Sequence, residues 1–242
     1  MYFYRRKYKM ADLIKQAGFG DDSLPDGQIE KYKAKVGKID RIALVWIEEN
    51  TDSGKKEPQF VYANTYYVDK QGYILHKEGF NKVLKKDPKT RYATIVLVYS
   101  TDNNGEFFKD ENDKPMLSYE VKPWYFSEKK FKDLRMLHKK WNLAQHDLEV
   151  NCSDEQFQTI TIQPHQKSAL TTLLKNEKHG KKIKASIDHL KRELLGGLGR
   201  DIEMDQLREI MGSGSTQDVP DEELSIADDE DVLDTIDSLD LE

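Results

Sequence analysis

Hydrophobic and polar residues alternate along much of the first two thirds of the chain, and these alternating stretches predict β-strands. Lysines alternate with apolar residues over 31–36, which predicts a strand with one lysine face. A short apolar run at 42–47 predicts a buried strand. Residues 60–68 and 73–76 flank a polar turn and predict a β-hairpin, and residues 92–99 form the most strand-like stretch of the chain.

A polar stretch at 101–115, rich in Asp and Asn, separates these strands from a second set. Residues 117–126 predict another strand, and Ser127 is placed to cap a helix after it. Residues 147–151 and 157–163 predict a final pair of strands. Several antiparallel strands with a late helix predict a small β-barrel with helices, and a helix inserted between strands of a five-stranded barrel is typical of the OB-fold.

Apolar residues recur with helical spacing between 166 and 211, which predicts three helices that buttress the barrel. The glycine-rich run at 196–199 is expected to end the second of them. This run is not a dinucleotide-binding fingerprint, because no strand precedes it and its glycine spacing is wrong. The expected fold class is therefore α+β, an OB-fold-like antiparallel β-barrel with flanking helices, within a core that spans 21–211.

Residues 1–20 form a basic arm. Arg5, Arg6, Lys7 and Lys9 precede a short amphipathic pattern that is too short to be stable as an isolated helix. The pattern must therefore dock on the body of the protein or on a neighbouring chain. We interpret the arm as a self-association element, and a solvated basic terminus over a docked helix is the alternative.

The charge of the chain is divided unevenly between its body and its last residues. Twelve Asp and Glu residues and no Lys or Arg lie within 212–242, whereas the rest of the chain has 38 Lys and Arg against 32 Asp and Glu. A basic body beside its own acidic tail predicts a polyanionic partner with which the tail competes. The high charge and the scarcity of aromatic residues predict that this tail is disordered.

Apolar residues are scattered among the acids of the tail, and a tail that acted through its negative charge alone would not need them. We expect the end of the tail to dock on partner proteins when a polyanion displaces it from the basic body. The residues expected to dock are Asp231, Leu233, Ile236, Leu239 and Leu241. A solubilising tail is the alternative.

The composition argues against several classes of protein. A single cysteine, Cys152, forbids an intramolecular disulfide and favours a reducing compartment. No apolar run reaches membrane-spanning length and the basic N-terminus lacks the apolar region of a signal peptide, so we expect a soluble cytoplasmic protein without membrane contact. No hydrolase, nucleotide-binding or metalloprotease motif is present, and His138, His146 and Cys152 match no zinc spacing, so neither enzymatic activity nor a metal or cofactor is expected.

Five stretches, at 92–99, 119–126, 129–134, 147–152 and 157–162, carry a family resemblance when they are taken in order. Together with the aromatic and basic N-terminus and the acidic ending, they resemble the single-stranded DNA-binding (helix-destabilising) protein of T-even bacteriophages. The resemblance implies a protein of the host cell cytoplasm that binds single-stranded DNA without catalysing a reaction. It also implies cooperative self-association along the DNA through the basic arm.

Two features of that family are missing here. Its zinc module, with several Cys and a His, has no counterpart at 76–91, where there is no cysteine, and the Ser/Thr half of its N-terminal motif is replaced by Tyr8 and Lys9. Zinc is therefore not expected. Two other functions remain as alternatives: a metal-dependent nuclease that uses the loop at 102–113, and a phage structural or protein-interaction protein whose acidic tail is the functional part.

Single-strand binding requires a cationic groove for phosphates and exposed aromatic rings for bases. The resemblance assigns to the groove Lys89, Arg91, Tyr92, Lys122 and Trp124. The complete set of candidate DNA-binding residues is Lys33, Lys35, Tyr66, Tyr73, Lys86, Lys89, Arg91, Tyr92, Lys122 and Trp124. The alternative is that individual tyrosines pack in the core and that individual lysines are merely solvated.

Overall fold

The computed structural model describes residues 29–51, 54–154, 159–165 and 168–212. The chain divides into two compact units, residues 1–202 and 203–242. The described part of the first unit contains β1 (Ile39–Leu44), β2 (Ile47–Glu49), β3 (Lys56–Pro58), β4 (Val61–Val68), β5 (Gly72–Leu75), α1 (Phe80–Leu84), β6 (Lys89–Tyr99), β7 (Tyr119–Ser127), α2 (Glu128–Trp141), β8 (Leu148–Cys152), β9 (Ile160–Pro164), α3 (Leu170–Lys175) and α4 (Glu177–Leu198). The described part of the second unit contains α5 (Met204–Gly212).

The longest strand, β6, organises the sheet of the first unit. β7 pairs with β6 along nearly its whole length, from Arg91 opposite Ser127 to Tyr99 opposite Tyr119. On the other side of β6, β4 pairs with the first half and β1 with the second half. β8 and β9 continue outward from β1, and β5 lies outside β4. The chain therefore has a mixed α+β fold with a mostly antiparallel sheet, which confirms the coarse fold prediction.

Within the described residues the ladder of this sheet does not close into a ring. Residues 29–36 lie between β7 and β8, where the Tyr32 amide donates to the Pro123 carbonyl at 2.8 Å and the Gly37 amide donates to the Cys152 carbonyl at 3.1 Å. The prediction of a strand at 31–36 is therefore wrong. The edge of β7 cannot support a full ladder there, because Pro123 has no N–H to donate. The predicted alternation holds in part: Tyr32 and Ala34 are buried and Lys31, Lys33 and Lys35 are exposed, but Val36 is exposed as well.

Successive side chains of β6 point to opposite faces of the sheet and enter two separate cores. Val96 joins an inner cluster whose other members include Ile42, Leu44, Trp124, Phe126, Leu134 and Leu148. Ile95 and Leu97 join an outer cluster with residues of α3 and α4, including Leu173, Ile183, Leu190 and Leu194. The predicted helical buttress is therefore present on the outer face, while α2 contributes to the inner cluster.

A buried ion pair joins several of these elements. Arg41 in β1 donates from Nε to Asp147 Oδ2 at 3.0 Å, and side-chain exposure is 7% for Arg41 and 0% for Asp147. The same carboxylate accepts hydrogen bonds from the Tyr99 hydroxyl, the Ser168 hydroxyl and the Ala169 amide. With four donors around it, Asp147 connects β1 and β6 to the residues that lead into α3.

Most of the predicted elements are confirmed, and the differences have local causes. The hairpin β4–β5, the strands β6 and β7, the helix α2 and the pair β8–β9 lie where the alternation predicted them. The strand predicted at 92–99 begins earlier, at Lys89, and a short helix, α1, precedes it. The glycine-rich run at 196–199 ends α4 as expected: Gly196 and Gly197 are still helical, and the helix ends at Leu198 with Gly199 as its C-cap.

The basic arm and the acidic tail lie almost entirely outside the described residues. Their expected self-association and partner-docking roles therefore stay predictions. The residues concerned are Arg5, Arg6, Lys7, Lys9, Asp231, Leu233, Ile236, Leu239 and Leu241.

Replacing Asp147 by Ala should lower the free energy of unfolding by about 3–5 kcal/mol, because the change leaves the Arg41 charge buried without its carboxylate. Urea denaturation measures this effect. Lys181→Gln, which breaks the exposed pair between Lys181 and Glu177, is the matched control and should change stability by less than about 1 kcal/mol. Equal effects of the two substitutions would contradict the role given to the buried pair.

Candidate nucleic-acid interface

Cationic and aromatic side chains alternate across the outer face of the sheet. Lys31 Nζ lies 5.1 Å from the centroid of the Tyr125 ring, and Arg91 Cζ lies 4.9 Å from the same centroid. Arg91 Cζ is also 3.9 Å from the centroid of Tyr73, whose ring is 5.3 Å from that of Tyr67. We call these five residues the cation–aromatic strip.

Strand register explains why the strip forms. The turn between β4 and β5 sets Tyr67 directly opposite Tyr73. Arg91 in β6 lies opposite Ala63 of β4. Ala63 is four residues before Tyr67 in the same strand, so the side chains of Ala63 and Tyr67 are on the same face of the sheet. Tyr67 and Tyr73 are exposed residues, at 49% and 40% of their full surface.

Arg91 has a structural role as well as a place in the strip. Its Nη1 donates to the carbonyls of Gly197 at 3.1 Å and Leu198 at 2.8 Å, which are among the carbonyls left without partners at the end of α4. A cation at a helix C-terminus also interacts favourably with the helix dipole. Burial lowers the pKa of Arg91, although an arginine remains charged at neutral pH. The predicted phosphate ligand is thus also the residue that fixes the end of α4.

A cavity of about 1190 Å³ adjoins the strip and shares Lys31 and Tyr125 with it. Its wall includes the irregular segment 29–36, together with parts of β6, β7 and α4. Lysine side chains from several elements line it, namely Lys31, Lys33, Lys35, Lys38 and Lys122. The predicted candidates Lys33 and Lys35 are therefore exposed at this cavity, as a phosphate-binding role requires.

The charges of this cavity are partly balanced. Lys122 Nζ lies 2.8 Å from Glu30 Oε1 and also pairs with Glu120. Burial alone lowers the pKa of Lys122, but its bonds to the two glutamates outweigh burial, and the pKa is raised. In contrast, burial and the nearby charges of Arg91 and Lys33 lower the pKa of Lys31. The charge of Lys122 is thus balanced by Glu30 and Glu120. A phosphate bound beside Lys31 would instead offset the repulsion of Lys31 by Arg91 and Lys33.

Two of the predicted stacking residues are wrong because they are buried. Tyr66 is 2% exposed and its hydroxyl lies 3.0 Å from His76 Nδ1. Trp124 is 6% exposed and packs in the inner cluster, with its ring centroid 5.7 Å from that of Tyr32 and 4.7 Å from that of Phe126. Neither ring presents a face to a base, because the hydrophobic gain from burying each of them directs it into the core.

The remaining candidate DNA-binding residues do not all lie on the face of the sheet that carries the strip. Lys86 Nζ donates to the Tyr67 carbonyl at 2.6 Å, which places this lysine beside the strip. Lys89 is exposed at the start of β6. Tyr92 lies on the opposite face from Arg91, since the two are consecutive in β6, and its ring stacks on Phe131 of α2 at 4.2 Å between centroids. The structure therefore does not bring Tyr92 together with Arg91 and Tyr73.

The sequence prediction missed Tyr125, Lys31 and Tyr67 as members of the site. Alternation placed Tyr125 on the other side of β7 from Lys122, but the pattern alone did not show which side α4 covers. Tyr67 could have been found from the hairpin, because a turn at 69–71 sets it opposite Tyr73. Lys31 carries no signal that distinguishes it from Lys33.

Comparison with family models, with curated proteins and with solved structures yields no match to this chain. Across the described ranges, no group of three His, Cys, Asp or Glu side chains is arranged to hold a metal ion. No helix in the described part of the chain is long and apolar enough to cross a membrane.

Gly197→Ala should lower the free energy of unfolding by about 1–3 kcal/mol, because an added Cβ would overlap the hydroxyl and ring of Tyr125. Gly196→Ala is a matched control in the same helix, since its Cβ would meet nothing within 4 Å. That control should be neutral or stabilising by roughly 0.5–1 kcal/mol, because alanine favours the helix over glycine. Denaturant titrations of both variants test the packing of α4 on Tyr125, and a reversed order would contradict it.

Proposed function

We propose that this protein binds single-stranded DNA without strong sequence preference and coats the intermediates of replication, recombination and repair. The observation that carries the proposal is the cation–aromatic strip, in which exposed Tyr67 and Tyr73 adjoin Arg91, Lys31 and the lysine-lined cavity. Aromatic rings for bases next to cations for phosphates are the two requirements of single-strand binding. No catalytic role is included in the proposal.

The chemistry of the strip favours single strands over duplexes. A base stacks on a tyrosine only when it is free of its own neighbours, as in an unpaired strand. Stacking tolerates every base, because each has a π-face, so weak sequence preference follows. The lysines contribute binding that weakens as salt rises, with a slope of about −0.7 per neutralised phosphate.

The proposal includes a finer description of the fold as an OB-fold-like barrel. Support comes from the inner cluster, which β1, β6, β7 and β8 surround and to which α2 contributes. The segment 29–36 stands in the gap between β7 and β8, with one backbone bond near each strand. In this description the segment completes the wall in place of a regular strand.

The roles of the two ends of the chain belong to the same proposal, on the strength of their charge and of the resemblance to the T-even phage family. The arm with Arg5, Arg6, Lys7 and Lys9 serves self-association along the DNA. The acidic tail competes for the groove and recruits replication and recombination proteins through its terminal apolar residues.

The alternative of a nuclease that uses the loop at 102–113 receives less support from the loop geometry. Asp102 Oδ1 accepts the amides of Asn104 and Glu106, each at 2.9 Å. Asp110 Oδ1 accepts the amides of Asn112 and Lys114 at the same distance. These carboxylates are engaged in shaping two turns. Magnesium-dependent loss of a single-stranded substrate would nevertheless favour the nuclease, and absence of nucleic-acid binding would favour the protein-interaction alternative.

The double variant Tyr67→Ala with Tyr73→Ala should weaken binding of fluorescent oligo-dT by at least about tenfold, since stacking contributes about 1–3 kcal/mol per base. Fluorescence anisotropy at two salt concentrations measures the affinity. Tyr67→Phe with Tyr73→Phe keeps both rings and should retain most of the affinity. If the wild-type chain does not bind oligo-dT at low salt, the proposed function is wrong. If the alanine double variant binds like wild type, the strip is not the binding site.

Removal of residues after Met211 should increase affinity for oligo-dT, most strongly at low salt, because twelve acidic residues then no longer compete for the cations. The same anisotropy titration compares the full chain with a chain ending at Met211. A charge-neutral tail of equal length is the control for chain length. Identical affinities of all three proteins would show that the tail does not compete for the groove.

A further inference from the structure

The face of the sheet opposite the strip carries a column of aromatic rings that ends in solvent. Tyr62 in β4 is 67% exposed, the largest value among the exposed large hydrophobic residues of the described chain. Its ring centroid lies 5.6 Å from that of Tyr92, with an angle of 35° between the planes. Tyr92 in turn stacks on Phe131 at 4.2 Å with an angle of 5°. The column runs from an exposed tyrosine to a partly buried phenylalanine.

Two further aromatic rings, those of Phe60 and Phe126, pack against this column. Phe131 packs against Phe60 at 5.2 Å, and Tyr92 is nearly parallel to Phe126 of the inner cluster at 6.4 Å and 8°. Register also fixes Tyr62 directly opposite Tyr92 in the pairing of β4 with β6. A platform whose rings are held before binding loses little conformational freedom when a base stacks on it.

A stripe of cations on α2 lies beside the column. Lys132, Arg135 and Lys139 are spaced three and four residues apart, so they share one face of the helix, and all three are exposed. Phe131 is four residues before Arg135, which places the stripe next to the ring that supports Tyr92. Lys132 pairs with Glu128 at 3.1 Å, but both side chains are largely exposed and such a pair holds its lysine only weakly.

The charge of α2 as a whole favours a polyanion. Its fourteen residues include six Lys and Arg but only two acids, Glu128 and Asp133. Exposed lysines alone would indicate no more than a solvated helix. Here they adjoin an exposed aromatic platform, and this combination matches the chemistry of single-strand binding.

We propose that Tyr62 and the cationic stripe of α2 form a second subsite for single-stranded nucleic acid, in which a base stacks on Tyr62 and phosphates follow Lys132, Arg135 and Lys139. This inference rests on the proposed function. Arg91 and Tyr92 are consecutive in β6, so the two subsites lie on opposite faces of the sheet. A single strand that occupies both must pass around the sheet edge, where β5 is the outermost strand.

The path around the edge requires a long oligonucleotide. A single fold of this kind covers roughly 4–16 nucleotides, so an oligo-dT of about 20 nucleotides is long enough to test both faces. Tyr62→Ala in the full chain should weaken binding of this oligo-dT by about tenfold, the equivalent of one lost stacking contact. Phe108→Ala is the matched control, since Phe108 is 53% exposed in the polar loop at 101–115, and it should leave the affinity unchanged.

The stripe is tested by the salt dependence of the same binding reaction. Lys132→Gln with Lys139→Gln should reduce the magnitude of the slope of log affinity against log salt by about 1.4, because two phosphate contacts are lost at about 0.7 each. Lys109→Gln with Lys114→Gln removes the same charge from the exposed loop and should leave the slope unchanged. An equal reduction in both double variants would reflect net charge and would overturn the phosphate path along α2.

The outcomes separate this inference from the proposed function. If Tyr62→Ala binds the long oligo-dT like wild type while the double alanine variant of the strip binds weakly, the second subsite is wrong and the proposed function stands. If the wild-type chain binds no oligo-dT, both are wrong. Tenfold weaker binding by Tyr62→Ala together with the reduced slope supports the second subsite.

Discussion

The buried carboxylate of Asp147 is the interaction on which the arrangement of the first unit depends. It accepts from Arg41, Tyr99, Ser168 and Ala169, and so joins two neighbouring strands to the residues that lead into α3. Replacing such a pair by apolar residues is often tolerated, but removing one partner leaves a charge without compensation in the core. Because α4 follows α3 directly, this pair also fixes where the outer helical layer begins.

The far end of that layer is held by the candidate site itself. Arg91 donates to the last carbonyls of α4, and Gly197 permits the helix to lie against Tyr125. The outer helical layer of α3 and α4 is therefore anchored at the start of α3 by a buried ion pair and at the end of α4 by a residue of the strip. Binding chemistry and packing share the same side chains here, so the strip has little freedom to rearrange.

The sequence was sufficient to predict the local elements but not the faces they present. Alternation and turn signals located β4, β5, β6 and β7, because their patterns are set by neighbours along the chain. Burial of Tyr66 and Trp124 could not be predicted in this way, since strand periodicity separates two faces without showing which one a distant helix covers. The need for glycine at position 197 could not be predicted for the same reason, because it arises from the ring of Tyr125, about seventy residues earlier in the sequence.

The proline in β7 has a consequence for the lysines of the cavity. Pro123 offers only its carbonyl to the neighbouring segment, which Tyr32 and Ala34 attach to the protein mainly by burying their side chains. Attachment by burial is non-directional, whereas a ladder fixes each residue along its length. Lys31, Lys33 and Lys35 therefore stand on a segment whose position depends on two buried side chains and a few hydrogen bonds, whereas the aromatic rings of the strip stand on strands fixed by continuous ladders.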